Sequence, residues 1–540
     1  MTRERSLWAW GWNDRFPDGA RRAQLAQLAS MLLGGGGFEQ RALPRDDDAL
    51  ELPAPRTRPP SSLAAIASEA PRDRAAHTYG KGYPDLIRGF ARDFAAAPDW
   101  IARPRDDGEV ASVLDWCASS QTACIPYGGG TSVVGGVEHA HARAGRVTLD
   151  LGELSGVREL DATSRAARIG AGMKGPAIDD ALADSGVTLR HFPQSYEHST
   201  LGGWLATRAG GHFATVYTHI DDLCEAMTIV TPRGKVETRR LPASGAGPQP
   251  ERLWLGSEGA LGVITEAWMR VQPKPRWRAS ATVKFRAWDD AVAAARAIAQ
   301  SGLHPTNCRL LDLTEALLHR VSMSGHHVLL LGFESADHPL GAWIARAVEL
   351  AKEHRGELAS GPAETDEQAN DRATHRGEAG TWRQAFFDAP YLQSALVSIG
   401  VLADTFETAC TWSAFPELHA RVTRDVTAAL KEVCGGGVVA CRFTHVYPDG
   451  PAPYYTFLGR ARIGGELEQW RAIKTAASDA LIACGATITH HHAVGRVHRP
   501  WYERERPPLF ADALRAVKRT LDPDGVMNPG VLLAESDQAR

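Results

Sequence analysis

Residues 126–136 read Pro126-Tyr127-Gly128-Gly129-Gly130-Thr131-Ser132-Val133-Val134-Gly135-Gly136. An apolar run, Ala123-Cys124-Ile125, feeds into the three glycines. Glycine lets the backbone turn sharply and brings N–H groups up to a ligand that a Cβ would hold off. Successive N–H groups in such a turn make an anion-binding nest. The hydroxyls of Thr131 and Ser132 add donors. The stretch reads as a pyrophosphate cradle. It is not a P-loop, because no Gly-Lys-Ser/Thr follows. It is not the G-x-G-x-x-G dinucleotide fingerprint either, because the third glycine would fall at Val133. The plain alternative is a surface turn, which glycine often punctuates.

Two further glycine clusters lie downstream. One is Pro193-Gln194-Ser195-Tyr196-Glu197-His198-Ser199-Thr200-Leu201-Gly202-Gly203-Trp204, followed by Arg208-Ala209-Gly210-Gly211. The other is Leu255-Gly256-Ser257-Glu258-Gly259-Ala260-Leu261-Gly262-Val263-Ile264-Thr265. Each joins hydroxyls to backbone freed by glycine. Three such loops imply a long ligand gripped by backbone along its length, with phosphates at one end.

The rest of the chain sets bounds. At 540 residues it exceeds one ordinary core, so two or three domains are expected. A net charge of −4 gives no argument for nucleic acid. The eight cysteines include no C-x-x-C pair, which argues against a zinc site or a disulfide framework and suits a reducing compartment. The charged start, Met1 to Arg5, lacks the apolar core of a signal peptide. No apolar run is long enough to span a bilayer. A cytoplasmic location is therefore expected. Peripheral membrane contact and a homodimer stay open.

Trp8, Trp10 and Trp12 alternate, which reads as one face of an extended segment packed on the body. Residues 20–33 read as a helix, and 42–61, with Asp46-Asp47-Asp48 and several prolines, as an irregular connection. Beyond Asp106 a helix, a short strand and the glycine loop follow, then strands over 147–151, 166–171 and 226–230, with 235–239 as a hairpin partner. Pro273 and Pro275 mark a boundary. The second half alternates strands and helices; residues 354–380 read as a polar loop and 486–492 as a strand. The expected division is 1–94 as an N-terminal extension packed on the body, 95–273 as a cofactor domain, and 274–540 as a substrate cap with a C-terminal catalytic segment.

The order P-x-G-G-G-T-S, S-T-x-G-G and G-S-E-G-x-L-G-V-I-T resembles the PCMH-type FAD-binding domain of the vanillyl-alcohol oxidase superfamily. The resemblance implies an α+β fold: that FAD-binding domain plus an α/β cap with a mostly antiparallel sheet. It also implies FAD gripped by Pro126, Gly128, Gly129, Gly130, Thr131 and Ser132, then Ser199, Thr200, Gly202, Gly203 and Arg208, then Glu258, Gly262, Val263 and Ile264. Further patterns are similar to the alkyldihydroxyacetonephosphate synthase (alkylglycerone-phosphate synthase) family: the tryptophan-rich start, Gly-Gly-Trp-x-x-Thr-Arg-Ala-x-Gly at 202–211, Thr231-Pro232-Arg233-Gly234, Thr405-Phe406-Glu407-Thr408, Thr444-His445-Val446-Tyr447 and His490-His491-His492-Ala493-Val494-Gly495-Arg496. That family exchanges the acyl group of acyl-dihydroxyacetone phosphate for a fatty alcohol in ether lipid synthesis, holding the substrate on flavin N5, without net redox. The resemblance implies non-covalent FAD, although His191, His198 and His212 adjoin the second motif.

The resemblance makes Tyr454 the proton-abstracting base, with His490, His491 and His492 on the substrate side and Arg309 near the substrate. A phenol titrates near 10, so a tyrosine base needs its phenolate stabilised; His490 and His492, read as sharing one strand face, are expected to supply part of that field. A core tyrosine and an Arg309–Asp312 salt bridge are the structural alternatives. No metal is expected, since a contiguous histidine triplet on a strand cannot wrap one ion. Gln194, Gln393 and Thr405 are expected to face the substrate. Gln194 stands where the family usually has aspartate, and Gln393 where it has a phosphate-binding arginine. A neutral amide lacks the bidentate, charge-assisted grip of guanidinium. Two other readings remain: an FAD-linked oxidase or dehydrogenase of a 2-hydroxy acid or related alcohol, and a non-catalytic flavin-binding protein.

Overall fold

The structure, a computed structural model, describes residues 3–34, 36–45, 49–141, 143–213, 219–365 and 377–535. The acidic run 46–48 and residues 366–376 of the polar stretch lie outside them.

The glycine loops hang from two small sheets. A four-stranded sheet runs Ala67–Ser68, Trp100–Ala102, Gly145–Asp150, Thr122–Tyr127, and its last three strands are parallel. Helix Asp107–Ser119 covers it; Asp106 caps the helix by accepting the Glu109 N–H, and Val110, Val113, Leu114 and Cys117 are buried. This fits the apolar face read from the sequence. An antiparallel five-stranded sheet follows, in the order Val157–Asp161, Ala166–Gly170, Val263–Arg270, Cys224–Thr231, Gly234–Glu237.

The larger sheet has seven strands, ordered Glu357–Thr365, Trp277–Phe285, His327–Ser335, Asn307–Leu311, Gly437–Val446, Pro451–Arg460, Val401–Glu407. Every pairing in it is antiparallel. Helices Trp288–Ala299 and Gly341–Glu353 pack on one stretch of it, through Ala294, Ile298, Ile344 and Ala347. Helices Phe415–Cys434 and Glu466–Ala483 pack on another, through Leu418, Val422, Ile473 and Leu481. The last segment leaves this sheet: Cys124 donates to Val526 O at 2.8 Å and Asn528 donates to Cys124 O at 3.0 Å, so residues 526–528 line up beside the strand that feeds the glycine loop.

Three readings of the sequence need correction. Residues 6–12 are not an extended segment. They form a tight hairpin, with Arg5 bridged to Trp12 and Gly11 at φ +68°; Trp8 and Trp10 are buried among side chains of the large sheet. The region 354–380 contains the strand Glu357–Thr365 and the start of helix Gly377–Val397. Residues 486–492 form no strand.

Candidate active site

The three glycine clusters meet. A Cβ on Gly128 would overlap the Thr200 hydroxyl, and one on Gly129 would overlap His198 O. Only glycine lets the first loop lie against the second. Thr200 caps helix Leu201–Thr207. Gly262 sits at φ +144° against the strand Cys224–Thr231, which brings the third cluster in.

Around this junction lies one cavity of about 860 Å³. Pro126, Gly128 to Ser132, Gln194, Ser199, Thr200, Gly202, Gly203, Glu258 and Gly262 to Ile264 all line it. Among the described residues, no hydrogen bond is made by the backbone N–H groups of 128–133. Ser132 Oγ instead accepts from Gly136 N at 2.9 Å, closing the turn around them. Orphan N–H groups in a glycine turn are the donor set that a pyrophosphate satisfies, so the residues fit FAD.

Three of the residues read as cofactor contacts have other partners. Arg208 does not face the cavity: the C-terminal residue of its helix is left-handed, at φ 52°, and its guanidinium turns out to Asp221 at 3.0 Å. Glu258 lines the cavity, but its carboxylate also accepts from Val494 N (2.9 Å) and Gly495 N (2.9 Å), which ties the third glycine cluster to the histidine loop. Burial lifts that carboxyl to about 7. Ser199 Oγ already accepts the Trp204 indole N–H at 2.7 Å. His191, His198 and His212 are buried, and none is among the lining residues. Acid precipitation is therefore expected to release all the FAD into the supernatant; flavin fluorescence left on the protein band would count against it.

At the cavity's far wall, the register of three strands sets Tyr454 opposite both Glu407 and Arg442. The Tyr454 hydroxyl lies 2.9 Å from Thr405 Oγ1. The Arg442 guanidinium sits 3.8 Å from the Tyr454 ring centroid and donates to buried Glu315 at 2.9 Å. Burial would raise Glu315, but Arg442 and His319 hold it down to about 2. Burial raises the Tyr454 phenol above its ordinary value, and Arg442 and Thr405 oppose that rise. The histidines are not the source of positive field expected of them. Burial pushes His492 down to about 3 and His490 well below its usual range, so both imidazoles are neutral. The cation facing Tyr454 is Arg442.

The histidine run is a loop cinched by one carboxylate. Glu407 accepts from His490 N (2.8 Å), His491 N (3.0 Å), His492 N (3.0 Å) and Thr489 Oγ1 (2.6 Å). With no strand pleat, all three rings cluster: His491 stacks on Tyr454 at 6.1 Å and His492 meets it edge-on at 5.4 Å. His490 turns away to Tyr447 OH at 2.7 Å and His219 at 3.2 Å. His445, from the strand Gly437–Val446, joins His490 and His491 with ligand atoms within 4.8 Å. The pleat argument against a metal thus no longer applies. The ring nitrogens of His490 are nonetheless occupied by Tyr447, His219 and His491 (Nδ1 to Nδ1, 3.0 Å), which is the pattern of a hydrogen-bonded relay.

Arg309 does not pair with Asp312. It is fully buried, stacks 4.9 Å from Phe386 and donates to His212 O at 3.0 Å. Burial, with Arg442 nearby, pushes it down to about 9. Asp312 instead accepts from Glu315 N and Cys441 N. Gln194, Gln393 and Thr405 all line the cavity. Gln194 donates to Phe386 O at 3.0 Å, and Gln393 donates to Ala403 O (3.1 Å) and Asp404 (3.2 Å). Sequence reasoning missed Arg442, Glu315, Glu407 as an anchor, and Lys474, whose ammonium donates to Thr405 O at 3.0 Å. The one available signal was a charged residue inside the apolar run Val438 to Val446.

Comparison with known proteins agrees with this geometry. A family described as "FAD binding domain" matches residues 98–239, and one described as "FAD linked oxidases, C-terminal domain" matches residues 274–532. An alkyldihydroxyacetonephosphate synthase of Dictyostelium discoideum is 28% identical over 487 residues, covering 85% of this chain and 77% of its own. One from Trypanosoma brucei brucei is 28% identical over 476 residues, with the same coverages. A cytochrome-linked mitochondrial D-lactate dehydrogenase of Arabidopsis thaliana is 25% identical over 449 residues, covering 81% and 73%. Among solved structures, an alkyldihydroxyacetonephosphate synthase superposes with a TM-score of 0.78 at 23% identity over 97% of this chain and 98% of that one. A 4-ethylphenol oxidase from Gulosibacter chungangensis superposes at 0.65 with 14% identity, over 88% and 95%.

Proposed function

We propose, for a chain that is an alkyldihydroxyacetonephosphate synthase-like, FAD-dependent enzyme of the PCMH-type FAD-binding superfamily, that it exchanges the acyl group of an acyl-dihydroxyacetone-phosphate-type ketone ester for a long-chain alcohol. The observation that carries this reading is the composition of the cavity's outer end. Beyond Tyr454 it runs between helices Gly19–Leu33, Leu313–Leu318 and Gly377–Val397, where Leu25, Leu28, Leu32, Leu317, Leu392 and Leu396 line it. A channel of leucines suits an alkyl chain, since each buried methylene is worth about 0.8 kcal/mol. A small 2-hydroxy acid would leave that channel idle.

FAD, which the glycine loops would hold, would supply an electrophilic ring beside the substrate. The protein's part is to place the substrate C1 near Tyr454 and to take a proton there. Arg442 stabilises the phenolate, and the rings of His491 and His492 pack against Tyr454 and wall off water. The C1–O bond to the acyl group breaks and the fatty acid leaves as its carboxylate; a C1–O bond to the alcohol forms, the alcohol proton passes to solvent, and the Tyr454 phenol returns a proton to C1. No net electrons move.

The test uses purified holoenzyme with a ketone ester and a deuterated fatty alcohol. Ether product and free fatty acid should appear in equal amounts, with the flavin remaining oxidised overall. Bleaching of the flavin by D-lactate or glycolate, with no ether formed, would sink the reading and favour the oxidase; neither outcome would leave a flavin-binding protein. The phosphate has its own test. Gln393→Arg places a guanidinium beside Asp404 at the cavity wall. It is expected to lower KM for the phosphorylated ketone ester several-fold and to leave KM for the unphosphorylated ester unchanged. Equal effects on both would show that position 393 does not meet the phosphate.

A further inference from the structure

The N-terminal hairpin does something that neither the glycine motifs nor the catalytic cluster explains. Its ladder is short: Ser6 donates to Gly11 O and Asn13 to Glu4 O, each at 3.0 Å. It touches both halves of the cavity wall. Trp12 Nε1 and Arg15 Nη1 each donate to Glu197, in the second glycine cluster, at 2.7 Å. On the other side, Arg15 donates to Asp388 at 3.1 Å, Trp10 N to Ser394 Oγ at 3.0 Å, and Trp12 N to Tyr391 OH at 3.3 Å. At its base, Arg5 donates to Gly129 O at 3.0 Å across 124 residues of sequence.

That last contact bears on the cofactor. In a trans peptide the carbonyl and the next N–H point in opposite directions. With Gly129 O held by Arg5 on the outer side, the Gly130 N–H is aimed inward, at the cavity that Gly130 lines. A Gly-Gly peptide is the one most free to rotate, since neither residue has a Cβ to bias it, and Gly130 already sits at φ +66°. We propose that Arg5 is a cofactor-positioning residue: it locks the Gly129–Gly130 peptide with its N–H facing the pyrophosphate and adds a positive charge behind the cradle. The inference depends on FAD as the cofactor and not on the reaction.

The measurement is the affinity of deflavinated protein for FAD, by recovery of flavin fluorescence quenching, with riboflavin as the ligand that lacks the pyrophosphate. A hydrogen bond to a charged group is worth about ten- to a hundredfold in an equilibrium constant. Arg5→Met, which keeps the aliphatic stem, should weaken FAD by about that factor and leave riboflavin unchanged. Arg5→Lys should restore much of the loss, and Trp12→Phe, which breaks the Glu197 contact but spares Arg5, should lose little. If Arg5→Met weakens FAD and riboflavin alike, or if Arg5→Lys and Trp12→Phe both behave like Arg5→Met, the hairpin is only packing and the assignment is overturned. Unchanged FAD affinity in Arg5→Met overturns it as well. Should Arg5→Met not fold, the FAD-to-riboflavin ratio of Arg5→Lys against Trp12→Phe decides the same question.

Discussion

Tyr454→Phe is expected to lower turnover by about 10²–10⁴-fold, the usual contribution of a positioned general base, while FAD stays bound. The change deletes one oxygen and keeps the ring, which is 5% exposed and stacked between Arg442 and His491. Burial raises the phenol above its ordinary value, while Arg442 and Thr405 pull it back. In the wild type, turnover should therefore climb with pH through the alkaline range as phenolate accumulates, and Tyr454→Phe should flatten that climb. Arg442→Met should move the climb to higher pH by removing the cation that stabilises the phenolate. Near-normal turnover in Tyr454→Phe, where chemistry limits the rate, would reduce Tyr454 to packing. Tyr447 would be tested next, since its hydroxyl meets His490 at 2.7 Å. Tyr455 is the weaker substitute, because it points to the other face of the strand and pairs with His419.

Removing the carboxylate at Glu407 should be the most damaging change to the architecture of the site. One buried carboxylate accepts three consecutive backbone N–H groups and a hydroxyl. Glu407→Ala leaves those donors buried and unmet, and a cost of about 3–5 kcal/mol is expected, as for a buried charge network that loses one partner. Activity should fall steeply, because Glu407 holds the three consecutive N–H groups of the loop that stacks His491 and His492 on Tyr454. Glu407→Gln keeps one acceptor oxygen and should recover part of the stability in thermal melts. The sign of the pH dependence follows. Burial would raise the Glu407 carboxyl, but the adjoining histidine loop, His491 first, holds it well below its usual value. Its folded value is thus lower than the unfolded one. The stabilisation is fully present above about pH 4.3, the ordinary glutamate value, and is lost as pH falls through the folded value. Wild type should lose more stability than Glu407→Gln on acidification below pH 4. Parallel acid melts of the two proteins would contradict it.

How much was legible in the sequence divides along a physical line. FAD binding could be read because a glycine turn is local: consecutive N–H groups on consecutive glycines make an anion nest, and 128–132 bring such groups to the cavity wall. The same holds for helix Asp107–Ser119, whose cap and apolar face lie within one window. The failures were of another kind. The run 486–492 looked like a strand because Ile488 and its neighbours have strand propensity; Glu407, distant in sequence, satisfied those N–H groups instead, and no pattern within the run signals that. Arg208 belongs to the motif by sequence, while its own left-handed backbone at the helix end turns it outward to Asp221. Arg442 escaped because a charge in an apolar run has meaning only once register sets it against Tyr454 and Glu315. Local pattern alone points to an FAD-binding α+β protein; the residues of its phosphate cradle are a proposal that rests on the N–H groups of 128–132 at the cavity wall, unpaired among the described residues. Only the tertiary structure sets which side chains surround Tyr454, that the Arg442 guanidinium lies against its ring while His490 and His492 are neutral, and that the N-terminal hairpin reaches Gly129. A nest is made by neighbours along the chain, whereas a catalytic wall is made by neighbours across strands.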